Sequence, residues 1–83
     1  MNGKKIDIEM VASNALREVY NQRAEIDDAV NWGSLCITEV GWYNDRWLIF
    51  VEEAAPDACR FGAVLYNAIK KRTEHPIQII TNW

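Results

Sequence analysis

Two cysteines, one histidine and four scattered glycines leave this 83-residue chain short of the residue types that most recognisable chemistry needs. Cys36 and Cys59 form no Cys-x-x-Cys pair, and with His75 as the sole imidazole a zinc centre has too few ligands. No metal and no cofactor are expected, and both thiols are expected to be reduced and buried. Gly3, Gly33, Gly41 and Gly62 are isolated from one another, so no glycine-rich loop is available to cradle a phosphate. No apolar run approaches the ~18 residues of a membrane span. The opening Met-Asn-Gly-Lys-Lys-Ile-Asp has no apolar stretch of the kind a secretion signal carries. A cytoplasmic location without membrane contact is the expectation. Cations are not in surplus either: the net charge is −3, which opposes a general affinity for phosphate backbones or anionic lipid.

Catalytic groupings are missing as well. Glu52 and Glu53 are neighbours on an extended segment, so their carboxylates point to opposite faces and cannot share a substrate. Glu39 and Glu52 meet only on a diagonal. His75 precedes Pro76 in a loop, and its spacing from Cys59 or Ser34 supports no nucleophile and base pair. The chain is expected not to be an enzyme.

Aromatic residues, by contrast, are plentiful: four Trp, three Tyr and two Phe. A single domain spanning residues 1–83 buries only about 60–65% of the surface exposed by its unfolded chain, so large side chains earn their place first as core. The strongest local signal lies at residues 35–53. Two β-branched and aromatic runs, Leu-Cys-Ile-Thr-Glu-Val-Gly-Trp-Tyr and Arg-Trp-Leu-Ile-Phe-Val-Glu-Glu, flank Asn44-Asp45. This is the chemistry of a β-hairpin with a two-residue turn. Strict alternation from that turn pairs Trp42 with Trp47, Val40 with Ile49 and Thr38 with Val51 on a core face, with Cys36 at its end. The other face then carries Ile37, Glu39, Gly41 and Tyr43 on one strand and Arg46, Leu48, Phe50 and Glu52 on the other.

Before the hairpin, Ile8, Val11, Ala12, Ala15, Leu16, Val19 and Tyr20 recur at helical spacing. Asp7 is expected to cap this helix, Ile6 to staple its first turn and residues 1–6 to fray. The helix should end near Gln22 or Arg23 and be followed by a short helical turn. Trp32 is read as a plug at one end of the core, and Gly33 as a left-handed stop. After the hairpin, Pro56 and Asp57 open a second helix whose buried stripe is Ala58, Phe61, Gly62, Leu65, Ala68 and Ile69. Gly62 inside that stripe implies close approach to the sheet. Lys70, Lys71 and Arg72 complement the helix C-terminus. Ile77 to Trp83 reads as a last strand, with Ile77, Ile79 and Trp83 on one face and Ile80 on the other.

The expected fold is α+β, helix-strand-strand-helix-strand. A right-handed crossover leaves the last strand parallel to the second and beside either strand of the hairpin, in a three-stranded mixed sheet with both helices packed on one face. That arrangement exposes Ile37, Tyr43, Leu48 and Phe50 as an apolar strip rimmed by Glu39, Arg46 and Glu52. Such strips serve contacts with other chains. The leading expectation is therefore a non-catalytic protein-interaction module of the adaptor or inhibitor type, binding a protein partner or a second copy of itself as a homodimer. The alternative is a small nucleic-acid-binding domain that stacks bases on Tyr43, Phe50 and Trp83 and holds phosphates with Lys70, Lys71 and Arg72. A variant inverts the sign, with Glu25, Asp27, Asp28, Glu52, Glu53 and Asp57 engaging a basic partner.

Overall fold

A computed structural model describes residues 2–26, 30–52, 54 and 59–82. The order is α1 (Asn2–Asn21), α2 (Arg23–Ile26), β1 (Cys36–Tyr43), β2 (Arg46–Glu52), α3 (Cys59–Lys70) and β3 (Ile77–Asn82). The chain is α+β, and its sheet has the order β1-β2-β3, with β1 antiparallel and β3 parallel to β2. Trp47 N–H donates to the Pro76 carbonyl at 2.9 Å, which fixes where β3 enters beside β2. The opening of the second helix at Pro56 and Asp57, its residue Ala58, and Asp27, Asp28, Glu53 and Trp83 lie outside the described residues.

One core joins the helices to one face of the sheet. Ile8, Ala12, Ala15 and Val19 of α1 and Phe61, Leu65, Ala68 and Ile69 of α3 are buried, as their helical spacing requires. They meet Val40 of β1, Trp47, Ile49 and Val51 of β2 and Ile77 of β3 in a single cluster. Those sheet residues all lie on one side, because Val40 pairs with Ile49 and Ile77 with Trp47. Helix α1 packs against α3 and β1, and α3 against β3. Trp32 closes one end of the core, edge-on to Tyr20 at 6.1 Å and to Phe61 at 5.7 Å. The short α2 buries Ile26 beside it.

Three local expectations fail for separable reasons. First, α1 begins at Asn2, so Asp7 is an interior residue rather than a cap, and Ile6 is 54% exposed rather than a staple. Nothing in Asn-Gly-Lys-Lys-Ile stops a helix outright, and the buried stripe downstream lets it grow backwards past the aspartate. Second, no described glycine has a positive φ. The chain turns at residues 31–34 through a Ser34 N–H bond to the Asn31 carbonyl, without a left-handed Gly33. Third, a Cβ added at Gly62 would meet nothing within 4 Å, so no close approach explains that glycine. The hairpin turn itself is as expected: Asn44 and Asp45 both have positive φ (51° and 67°), the type I′ geometry that matches the twist of the strands.

Candidate protein-interaction face

Among the described residues, no helix packs on the side of the sheet turned away from α1 and α3. Leu48 and Phe50 of β2 and Ile80 of β3 are partly buried, yet they belong neither to the core cluster nor to the apolar residues packed against it. Their partial shielding comes from neighbours in the same sheet, since Leu48 pairs with Gly41 and Gln78, and Phe50 with Glu39 and Ile80. Central strand β2 is therefore apolar on both faces, but the described residues cover only one of them.

A β-bulge determines which side chains reach this face. Strict alternation puts Thr38 opposite Val51, but in the structure Ile37 is the partner of Val51 and Glu39 that of Phe50, with Thr38 as the extra residue between them. Thr38 is exposed, and its hydroxyl donates to the Phe50 carbonyl at 3.4 Å. From the bulge to the turn the expected faces hold, so Glu39, Gly41 and Tyr43 stand on the open side. Before the bulge they exchange. Ile37 turns to the helix side and packs against the core, which removes it from the expected interaction strip. Cys36 takes the open side opposite Glu52 as a free, exposed thiol, where a buried one was expected.

The face has an apolar centre and a polarised rim. Leu48, Phe50 and Ile80 form the centre, with Gly41 beside Leu48 leaving a notch where a Cβ would meet nothing within 4 Å. At the hairpin end stand Tyr43, 63% exposed, and Arg46, whose guanidinium donates to Gln78 Oε1 at 3.1 Å and so lies across the face. Toward the other end come the exposed carboxylates Glu39 and Glu52. Of the residues expected to bind a partner, the structure brings together Glu39, Tyr43, Arg46, Leu48, Phe50 and Glu52. Ile80 and Gln78 were missed. The polar neighbours of Ile80 in sequence and the undetermined strand order hid its place beside Phe50.

The helix side carries different chemistry. Lys71 Nζ and Arg72 Nη2 hold the two carboxylate oxygens of Glu18 at 2.8 and 2.7 Å, tying α1 to the end of α3. Their hydrogen bonds, Lys71 foremost and then Arg72, push the Glu18 carboxyl below the ordinary carboxylate range, against a smaller opposing effect of desolvation. Arg72 donates to the Ala68 carbonyl, as a cation at a helix C-terminus should, while Lys70 Nζ donates to the His75 carbonyl in the loop beyond α3. This basic cluster therefore belongs to the helix layer, while Tyr43 and Phe50 lie on the opposite face of the sheet. Trp42 also points to the helix side, but it is 54% exposed rather than core. It stands edge-on to Trp47 at 5.3 Å. Trp47 Nε1 is buried there with no hydrogen-bond partner among the described residues, a cost of about 1–3 kcal/mol.

A shallow groove of about 430 Å³ runs between α1 and the entry to β1, lined by Ser13, Leu16, Arg17, Tyr20 and residues 35–37. Among the described residues no group of three or more His, Cys, Asp or Glu could hold a metal ion, and no helix is long and apolar enough to cross a membrane. Comparison with family models, curated proteins and solved structures finds no match for this chain.

Proposed function

We propose that this protein is a non-catalytic interaction module, of the adaptor or inhibitor type, that binds a protein partner through the open face of its sheet. One observation carries the reading. Leu48, Phe50 and Ile80 sit together on the central and third strands without contributing to the core, because both helices pack on the opposite side. An apolar patch with a charged rim has the anatomy of a protein contact. Exposed Tyr43 and Arg46 add the residue types that most often anchor such contacts. The acidic rim and the −3 net charge favour a protein surface over a nucleic acid.

The test compares wild type with the Phe50→Asp variant as bait in a native extract, after circular dichroism has confirmed an unchanged fold. Phe50→Asp places a charge at the centre of the face while leaving every buried side chain in place. A protein retained by wild type and lost by the variant supports the reading. Partners retained equally by both would show that binding uses another surface.

A further inference from the structure

The charges on the open face are arranged by sign along the strands, and that order makes the face complementary to itself. On β2 the outward side chains run Arg46, Leu48, Phe50, Glu52, a span of roughly 20 Å at about 3.3 Å per residue. Reversing this series puts cation on anion at both ends and apolar on apolar in the middle. We propose that the face pairs with a second copy of this chain, the two sheets stacked face to face with their strands antiparallel. The proposal rests on the reading of the open face as an interaction surface and names its occupant.

The symmetry follows from the register. A two-fold axis lying between the sheets and crossing the strands at the level of Ile49 maps β2 onto the β2 of the second copy, run backwards. Arg46 then faces the second copy's Glu52, and Leu48 faces its Phe50, each contact occurring twice. On β1 the same operation sets Glu39 over the second copy's Gly41, where the missing side chain leaves room. An axis along the strands would instead stack Arg46 on Arg46 and Glu52 on Glu52. Like charges at both ends disfavour that arrangement, so charge selects the antiparallel one. Two twisted sheets about 10 Å apart accommodate it with their strands within about 30° of alignment.

Area sets the strength. Three strands about 4.8 Å apart and about 20 Å long present only some 300 Å² of sheet plane per copy. Even with side-chain relief, that lies below the ~1,200 Å² total of the smaller stable complexes. The dimer is therefore transient, with a dissociation constant on the order of 0.1 mM.

Sedimentation of the whole chain between about 10 µM and about 1 mM tests this directly. Wild type should pass from monomer to dimer across the range. R46E and E52R should each weaken association at least ~tenfold, although they move net charge in opposite directions, because each puts like charges together twice. An equimolar mixture of R46E and E52R, and the double variant R46E/E52R, should regain it. Wild type that stays monomeric to the top of the range would overturn self-pairing while leaving the face open to a different protein. A dimer lost in Phe50→Asp but indifferent to both charge reversals would overturn the antiparallel arrangement alone. A dimer indifferent to Phe50→Asp would place self-association on another surface and overturn the pairing, while leaving the face open to a different protein.

Discussion

Ile49 and Phe50 are adjacent on the central strand and point to opposite sides of the sheet, so they report separately on its covered and uncovered faces. Ile49 has no exposed surface and sits in the middle of the core cluster. Truncating a buried Ile to Ala removes its transfer energy and leaves a cavity, for about 2–5 kcal/mol. At ~0.05–0.15 kcal/mol per residue, an 83-residue domain has about 4–12 kcal/mol in total. Ile49→Ala should therefore remove a large fraction of the stability and lower Tm by roughly 8–40 °C. Phe50 is the larger side chain and would cost about 3–5 kcal/mol if it were enclosed. Here it lies outside the core cluster and pairs with Glu39 and Ile80 in the sheet, so Phe50→Ala should cost about 1 kcal/mol, the scale of cross-strand contacts. Urea and thermal unfolding at low micromolar concentration, followed by circular dichroism, give both values. A Phe50→Ala cost equal to or above that of Ile49→Ala would mean the face is covered within the monomer, and the interaction surface would not exist.

Gly62→Ala should stabilise the protein by about 0.5–1 kcal/mol, because α3 gains helix propensity and the new methyl meets open space. Scanning calorimetry should show Tm rising by a few degrees, and a fall would show that the helix approaches a neighbour there after all. The Glu18 carboxyl, held below its ordinary value of 4.5 by Lys71 and Arg72, contributes stability that is present above that value and is lost as pH falls through the lowered one. Thermal unfolding of wild type and Glu18→Gln from neutral pH downwards should show a gap that closes in acid, and a gap that stays constant or widens would contradict the pairing.

The legible parts of this fold were those written in side-chain periodicity. The hairpin turn and the one-sided stripes of α1 and α3 follow from spacing, since a wrong choice would bury charge or expose a whole row of apolar groups, and the parallel third strand follows from the handedness of its crossover. The bulge at Thr38 left no such mark. Leu-Cys-Ile-Thr-Glu-Val alternates acceptably with or without an extra residue, and either reading puts one apolar side chain of Cys36 and Ile37 inward. Only the cross-strand pairing decides, and it moved Ile37 out of the candidate site and Cys36 into it. Gly62 misled for a different reason: a glycine within a buried stripe looks like a steric demand, and in α3 it answers none. Ile80 was invisible because it reaches the site through strand order rather than through its own segment.

The strand that organises the sheet also shows what the chain lacks. Trp47, Leu48, Ile49, Phe50 and Val51 form the unbroken apolar run of a strand meant to be covered on both faces. An apolar sheet face finds its stable setting against another layer. Both long helices are committed to the Ile49 side, where α1 and α3 also need each other to bury their own stripes. Moving either helix across would open the core already formed, so the second layer cannot come from the described elements. Water then meets the exposed parts of Leu48, Phe50 and Ile80, with Glu39, Arg46 and Glu52 standing around them. A cover made of a random apolar surface would strand Arg46 and Glu52 unpaired. A partner that covers the face as proposed would return a carboxylate at the Arg46 end and a cation at the Glu52 end, and a second copy of the face, run antiparallel, does both.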